Sequence, residues 1–310
     1  MDRNTGVTSR QTAGPAVHGL GLVVLDEQMF VERSPEIDSK VFATGRRIQF
    51  GGPVPTALAQ LQRFGVGTTF LGAWADDDAG RSIEARITAA GIRFDPQACR
   101  TACASGVAHV WVETTTGRRT VVSRPPDGQP TVEQACQFGR PARLLHLDGW
   151  GGDAAIAAAR ACRDTGGAVT LDSGSVKPAT ERLLPLAHVV NAPRRFLSDY
   201  CGTSDAATGA KFLLKTGPKL VSVTDGDRGA GIFTKDIALW LPAYEIRPVD
   251  TCGAGDVFCG GLLFAHLAGY EPEPMLRFAM ATAALKIGRA GNVTLPTYDE
   301  VVAFLESADP

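Results

Sequence analysis

Short apolar runs alternate with amphipathic segments along most of the chain. Residues 17–25 form an almost continuous apolar run that ends at Asp26, as expected of a buried strand. Residues 53–64 then carry apolar side chains at helical spacing. A strand at 66–73 and a helix at 79–90 follow after short connections. This order of strand, helix and strand predicts a parallel sheet covered by helices.

The same alternation resumes after residue 142. The predicted strands there are 144–147, 168–172, 188–191 and 220–224, and the predicted helices are 153–164, 178–184, 206–215, 254–268, 274–287 and 298–307. The pattern therefore predicts one large α/β domain, or such a domain with a small appendage.

Two stretches depart from this pattern. Short alternating segments at 40–43 and 47–50 suit exposed strands better than core strands, and residues 104–124 have the pattern of a hairpin with one rather apolar face. We interpret residues 26–50 and 105–126 together as a small β-sheet lid on the α/β body. A simple extension of the main sheet explains the pattern equally well.

Composition and charge exclude several classes of partner. The net charge is −2 and no cluster of Lys and Arg is present, so nucleic acid is not expected to bind. No apolar stretch approaches the roughly 20 residues that span a bilayer. Residues 1–15 are polar, lack the apolar segment of a signal peptide, and are expected to be a disordered tail. Seven scattered cysteines without a CxxC pair fit reduced thiols in a cytoplasmic protein.

The strongest chemical signal is the segment DTCGAGD at 250–256, which opens a long predicted helix. Gly253 and Gly255 let backbone N–H groups converge where a β-carbon would obstruct them. The start of the helix adds unpaired amide donors and partial positive charge, which suits a transferring phosphoryl group. Asp256 is placed to accept a proton from an attacking hydroxyl. On spacing alone, ordinary helix capping is an equally good explanation.

Two stretches resemble one known family. The segment DTCGAGDVFCGGLLFAHLAG resembles the C-terminal signature of the PfkB, or ribokinase-like, carbohydrate kinases. Residues 51–92, which begin GGPVPTALAQLQRFG, are similar to the N-terminal signature of that family. The resemblance covers about residues 17–305. It implies a doubly wound α/β kinase domain over 16–310 with a β-sheet lid, and phosphorylation of a sugar hydroxyl that uses ATP and Mg²⁺.

The resemblance also implies roles for single residues. Asp256 matches the catalytic base, and the backbone of the three residues before it matches the anion hole. The positions that match substrate contacts are Asp26, Gly51, Gly52, Thr56 and Arg119. The positions carried over to the nucleotide are Thr224, Gly226, Gly229 and Asn191. A monovalent cation, K⁺, would be held by Asp250 and the carbonyl of Cys252.

The chain departs from the family pattern at two positions. Many members have Asn where Thr56 stands, although a GGPxxT pattern also occurs in relatives that resemble the sulfofructose kinases. The usual N-x-x-E segment reads Asn191-Ala-Pro-Arg194 here, so the acid is replaced by arginine. Arg194 leaves the position of Mg²⁺ open and is a candidate for direct contact with phosphate.

Alternatives remain at this stage. A nucleoside kinase or a vitamin-precursor kinase would use the same scaffold, and a nucleoside kinase would need an aromatic clamp, for which Trp111 is a lone candidate. A catalytically weak regulatory relative is the alternative that Arg194 favours. A dinucleotide-dependent oxidoreductase lacks its G-x-G-x-x-G. We also expect a homodimer, because an apolar lid face with Val110, Val112 and Val121 would need cover.

Overall fold

Twelve strands are present in the computed structural model, which describes residues 17–292 and 294–307. They are β1 Val17–Leu20, β2 Val24–Val31, β3 Gly45–Gly51, β4 Thr68–Leu71, β5 Val107–Glu113, β6 Arg119–Arg124, β7 Leu144–Leu147, β8 Ala168–Asp172, β9 Val189–Pro193, β10 Leu220–Thr224, β11 Ala230–Phe233 and β12 Ala238–Leu241. The tail predicted at 1–15 lies outside the described residues.

The described residues also form eleven α-helices. They are α1 Pro53–Arg63, α2 Asp78–Ala89, α3 Pro96–Cys99, α4 Val132–Gly139, α5 Gly152–Asp164, α6 Thr180–Leu183, α7 Arg194–Phe196, α8 Ala206–Leu214, α9 Ala254–Leu267, α10 Pro272–Ile287 and α11 Tyr298–Ser307. Short 3₁₀ turns at Leu184–Leu186 and Gly226–Arg228 and a π turn at Leu197–Cys201 complete the elements.

The central sheet has eight strands in the order β12-β11-β10-β9-β8-β7-β1-β4. Its neighbouring pairs are parallel except for β10–β11 and β11–β12, which are antiparallel. This confirms the predicted fold class, a mostly parallel sheet flanked by helices. Among the described helices, none combines the length and the apolar character needed to cross a membrane.

The prediction of one strand over 17–25 is wrong. The structure ends β1 at Leu20 and begins β2 at Val24 in a different sheet. Between them the Leu22 amide donates to Asp148 Oδ2 at 2.9 Å instead of to a neighbouring strand. Nearly every residue of the run is buried in either sheet, so hydrophobicity alone gives no sign of the break.

Other errors concern the edges of the fold. Residues 40–43 are not a strand, and the pattern gave no prediction of α4, β11 or β12. The helix predicted at 178–184 is shorter, because it gives way to a 3₁₀ turn at a proline, Pro185. These elements are short, so their periodicity extends over too few residues to be distinctive.

A second, smaller sheet has the order β3-β2-β5-β6. Its strands come from two segments, 24–51 and 107–124, and it is mixed, because β2 and β5 are parallel. Asp26 is paired with Gln49 and Ala108, so these residues share one face. Below we call this four-stranded sheet the lid sheet.

The apolar face of the lid sheet is largely covered by the chain itself. Val110 and Val112 are 1% and 0% exposed and belong to a cluster with Cys252, whereas Val121 is 48% exposed. This face therefore does not require a partner subunit. The homodimer stays a prediction.

Helix α9 packs closely against two other helices, and two glycines make the contacts possible. A β-carbon on Gly260 would lie 2.7 Å from Gln60 Cβ and 2.9 Å from the Ala57 carbonyl oxygen of α1. A β-carbon on Gly261 would lie 2.8 Å from Thr282 Oγ1 of α10. The position of α9, and with it the loop at its start, is therefore set by these contacts.

Replacing Gly260 by alanine should destabilise the protein. Overpacking costs about 1–3 kcal/mol, which exceeds the gain in helix propensity of up to about 1 kcal/mol. We expect Gly260→Ala to lower the free energy of unfolding in urea. Gly255→Ala, in the same helix but with no atom within 4 Å of the added carbon, is the matched control and should not be destabilised. Equal stability of the two variants would contradict this account of the helix packing.

Candidate active site

Several polar side chains meet at the carboxyl ends of the parallel strands. Asp148 follows β7, Asp172 ends β8, and Asn191 lies in β9. The strand order reverses beside β1, because β4 lies on one side of it and β7 on the other. In open α/β sheets, ligands bind outside the carboxyl ends of the strands at such a point.

The loop that leads into α9 presents free amides there. Gly253 has φ 76°, a left-handed conformation that favours glycine, and α9 begins at the next residue. The N–H of Ala254 donates to the Thr251 carbonyl at 3.3 Å. In the described part of the chain, the amides of Gly253, Gly255 and Asp256 have no such acceptor. These amides are the donors available to an anion.

Asp256 lies in the first turn of α9 and keeps partial contact with solvent. Burial raises the pKa of its carboxyl to about 6. The positive charges of Arg119 and Lys286 lower this pKa, and the nearby Asp148 raises it. A carboxylate with this pKa is ionised at neutral pH and is still a competent proton acceptor.

Asp26, in β2 of the lid sheet, is close enough to Asp256 for the two charges to interact, and we call the region between Asp26 and the start of α9 the cleft. Burial raises the pKa of Asp26 to about 7, the side chain of Gln49 lowers it, and the charge of Asp256 raises it further. A β-carbon on Gly51 would collide with the Asp26 carboxylate, so the predicted substrate positions Asp26 and Gly51 depend on each other. Gly52 follows as the N-cap of α1.

Thr56 and Arg119 also lie beside this cleft. Thr56 is 1% exposed, and its hydroxyl has no hydrogen-bond partner among the described residues. Its methyl group would be 3.5 Å from a β-carbon on Gly253. Arg119 Nη1 lies 3.4 Å from Thr251 Oγ1, and the charge of Arg119 lowers the pKa of both Asp26 and Asp256. Thr56 and Arg119 therefore lie beside the loop that leads into α9. Asp26 interacts with Asp256 through its charge, whereas Gly51 and Gly52 are connected to this place through Asp26 and the start of α1.

The predicted nucleotide segment forms a tight turn after β10. Thr224 ends the strand, Gly226 begins a 3₁₀ turn, and the Gly229 carbonyl accepts the Asp225 amide at 2.9 Å. Asn191 lies in the adjacent strand β9. Its side-chain nitrogen Nδ2 donates to Asp172 Oδ1 at 3.2 Å, and its side-chain oxygen Oδ1 accepts a hydrogen bond from Ser222 Oγ at 2.8 Å.

Arg194 is held at this turn by an ion pair. Its Nη1 lies 2.7 Å from Asp225 Oδ2, and its guanidinium carbon lies 5.8 Å from the centre of the Trp240 ring. The arginine that replaces the usual acid is therefore paired with Asp225 of the predicted nucleotide segment, a carboxylate that it shares with Arg228.

Sequence reasoning missed three ionisable residues of the site, namely Asp148, Asp172 and Lys286. Burial and the charge of Asp256 raise the pKa of Asp172 to about 8. The available signal was that Asp148 follows and Asp172 ends a predicted strand. Lys286 is fully buried at the end of α10, and no pattern in the sequence indicated this.

Other candidates lie elsewhere or are inert. His109 and Trp111 alternate with Ala108 along β5, so they lie on the face of the lid sheet opposite Asp26. Trp111 is therefore not a clamp over the cleft. Burial raises the pKa of the Cys252 thiol to about 12, which makes it unreactive near neutral pH.

Replacing Asp26 by asparagine should stabilise the ligand-free protein in a pH-dependent way. The folded protein binds a proton at Asp26 that the unfolded chain releases near its ordinary pKa, so this residue makes stability fall as pH rises toward about 7. The rise in melting temperature of Asp26→Asn over the unmodified protein should therefore be larger at about pH 8 than at about pH 5.

Asp127 provides the matched control. Hydrogen bonds from the amides of Ala104 and Cys103 lower the pKa of Asp127, so its carboxylate is ionised in both states above about pH 5. Asp127→Asn should lower the melting temperature by a similar amount at both pH values. An Asp26→Asn effect that is equally independent of pH would contradict the raised pKa.

The chain is similar to known proteins in both sequence and fold. The chain is 28% identical over 289 residues to the ATP-dependent ribose-1-phosphate kinase of Halopiger xanaduensis, covering 92% of this chain and 96% of the relative. A structure of Arabidopsis thaliana ribokinase complexed with ribose and ATP superposes with a TM-score of 0.80 at 23% identity, covering 94% and 99% of the two chains.

A putative ribokinase II from E. coli in complex with ATP and Mg²⁺ gives a TM-score of 0.78 at 19% identity, covering 94% and 99%. These two solved structures share the fold of this chain. The sequence profile described as pfkB family carbohydrate kinase matches residues 20–297. The chain therefore belongs to the pfkB family of carbohydrate kinases.

Proposed function

We propose that this kinase transfers the γ-phosphoryl group of ATP to a hydroxyl of a sugar or sugar-like molecule bound between the lid sheet and the start of α9. One observation carries the proposal. A carboxylate, Asp256, lies directly beside the free amides of Gly253 and Gly255. This arrangement supplies a proton acceptor and an anion site for the same reaction.

The reaction needs few protein groups. Asp256 takes the proton of the acceptor hydroxyl, and the resulting oxygen forms a bond to the γ-phosphorus. The bond between this phosphorus and the oxygen that bridges to the β-phosphate breaks, and ADP leaves with that electron pair. The amides at the start of α9 stabilise the charge on the transferred group. Asp26 and the free hydroxyl of Thr56 would orient the acceptor.

The nucleotide would lie along the turn after β10. Thr224, Gly226 and Gly229 would contact it through the backbone, with Asn191 beside them. Within residues 17–292 and 294–307, no group of three or more His, Cys, Asp or Glu side chains could hold a metal ion. Mg²⁺ would therefore be bound mainly by the phosphates of ATP, which suits its preference for phosphate and water ligands.

An acceptor that already carries an anionic group is a second candidate. Arg119 influences both carboxylates of the cleft and forms no ion pair with another described residue. A guanidinium without an ion-pair partner at this place would suit a phosphate or sulfonate group. The name of the relative from Halopiger, a ribose-1-phosphate kinase, is consistent with such an acceptor. A nucleoside is less favoured, because Trp111 faces away from the cleft.

Replacing Asp256 by asparagine should abolish phosphoryl transfer. Without a proton acceptor, we expect kcat to fall by about two to four powers of ten, with ATP affinity largely retained. The acceptor would first be identified by mass shift in a panel of pentoses, hexoses, their monophosphates and nucleosides. Asp164→Asn, at the exposed end of α5, is the matched control. A normal rate for Asp256→Asn would contradict the role of Asp256 as base.

The pH dependence of kcat/KM should reflect the ionisation of Asp256. Its carboxyl must be ionised to accept a proton, so kcat/KM should fall as pH decreases below about 6. Arg119→Met removes a positive charge that lowers this pKa, so its acidic limb should move to higher pH. Arg118→Met, on the exposed turn beside it, should leave the limb in place. An unmoved limb in Arg119→Met would contradict the electrostatic contact.

A further inference from the structure

A fully buried lysine lies directly behind the loop that supplies the anion site. Lys286 and Asp250 both have side chains that are 0% exposed. Lys286 Nζ donates to the Asp250 carbonyl at 2.8 Å and lies 3.7 Å from Asp250 Oδ2. Such a charge is retained in a protein interior only where it is paired and hydrogen-bonded.

The Asp250 carboxylate connects this lysine to two other segments. Asp250 Oδ1 accepts the Cys252 amide at 2.8 Å, and Oδ2 accepts the Gly291 amide at 2.8 Å. The Ile287 carbonyl accepts the amides of Val249 and Asp250 at 2.8 and 3.2 Å. The loop before α9 is therefore fastened to the end of α10 by side chain and backbone together.

The segment that is bonded to Asp250 also lies next to Gly253, whose amide belongs to the proposed anion site. Asn292 follows Gly291, and its side-chain oxygen would lie 3.1 Å from a β-carbon on Gly253. Gly253, at the end of the loop that begins at Asp250, therefore lies close to the side chain of Asn292. The positive charge of Lys286 also lowers the pKa of Asp256, so it affects the site both by position and by charge.

A monovalent cation does not fit beside these groups. The resemblance to the family led us to expect K⁺ on Asp250 and the Cys252 carbonyl. Both carboxylate oxygens of Asp250 already accept amides, and its carbonyl already accepts the ammonium. A second positive ion beside that ammonium would be repelled in a buried environment.

We propose that Lys286 is a positioning residue whose ammonium takes the place of a monovalent cation, so that this kinase does not require K⁺. The proposal rests on the proposed function, because the loop held by Lys286 is the one that would bind the transferred phosphoryl group. Lys286 acts through that loop and through Asp250, without touching the reacting atoms.

The unmodified protein provides the first test. Phosphoryl transfer to the acceptor found in the panel is measured in KCl and in tetramethylammonium chloride of equal ionic strength. Melting temperatures are measured in the same two salts. We expect equal rates and equal melting temperatures in both. A rate several-fold higher in KCl, or a melting temperature raised by K⁺ alone, would overturn the proposal.

Two substitutions separate charge from volume. Lys286→Ala leaves a space beside Asp250 that a K⁺ ion can enter, whereas Lys286→Met fills the space without a charge. In tetramethylammonium chloride, both variants should lose melting temperature, and kcat should fall more than ATP affinity. KCl should restore the alanine variant and leave the methionine variant impaired. The matched control is Lys215→Ala, at the exposed end of α8, which should behave as the unmodified protein.

The outcomes distinguish this proposal from the proposed function. An alanine variant that keeps the full rate and melting temperature in tetramethylammonium chloride would contradict the positioning role. If both variants fail to fold, the salt comparison on the unmodified protein decides. If no acceptor is phosphorylated, the proposed function fails, and the melting temperatures still show whether K⁺ binds in place of the ammonium.

Discussion

The site depends on a balance of charge in a space that excludes much of the solvent. Burial raises the pKa of Asp26, Asp172 and Asp256, and the charge of Asp256 raises the pKa of the other two further. Two cations, Arg119 and Lys286, oppose this effect at Asp256. Because a raised carboxyl pKa reports a destabilised charged form, the ligand-free cleft is strained electrostatically. Hydroxyl donors from an acceptor would relieve that strain on binding, so the same groups that weaken the empty protein favour the complex.

The geometry of the site depends in turn on helix packing. Gly260 and Gly261 let α9 lie against α1 and α10 at backbone distance. The same helix α1 carries Thr56, and the same helix α10 carries Lys286. The three helices therefore bring together Thr56, the free amides at the start of α9 and the buried ammonium of Lys286. A shift of α9 by the width of one methyl group would change its distances to Thr56 and to Lys286 and would move the amides at its start.

Residues of the site that are neighbours in the sequence could be predicted, whereas those that are far apart in the sequence could not. DTCGAGD is contiguous, so its glycines and Asp256 were recognised together, and the strong periodicity of the main strands predicted the central sheet. Lys286 lies 36 residues from Asp250, in a helix where a lysine ordinarily lies at the surface. Its burial is visible only once α10 is packed. The break between β1 and β2 could not be predicted for a related reason. The Leu22 amide donates a hydrogen bond to Asp148, a residue that is distant in the sequence.

The replacement of the usual acid by Arg194 favoured a catalytically weak relative when the sequence alone was considered. The contacts of Arg194 give less support to that alternative. Arg194 is paired with Asp225 at 2.7 Å, and its guanidinium carbon lies 5.8 Å from the centre of the Trp240 ring. Arg228 Nε also lies 2.7 Å from Asp225 Oδ2, so one carboxylate is shared by two arginines. Asp256 is influenced by Arg119, Lys286 and Asp148, all of which lie in other segments. Arg194, the first residue of α7, contacts the turn after β10 and is not among these groups. We therefore expect the arginine to affect how the phosphates and Mg²⁺ are held, whereas the proposed activation of a hydroxyl depends on Asp256.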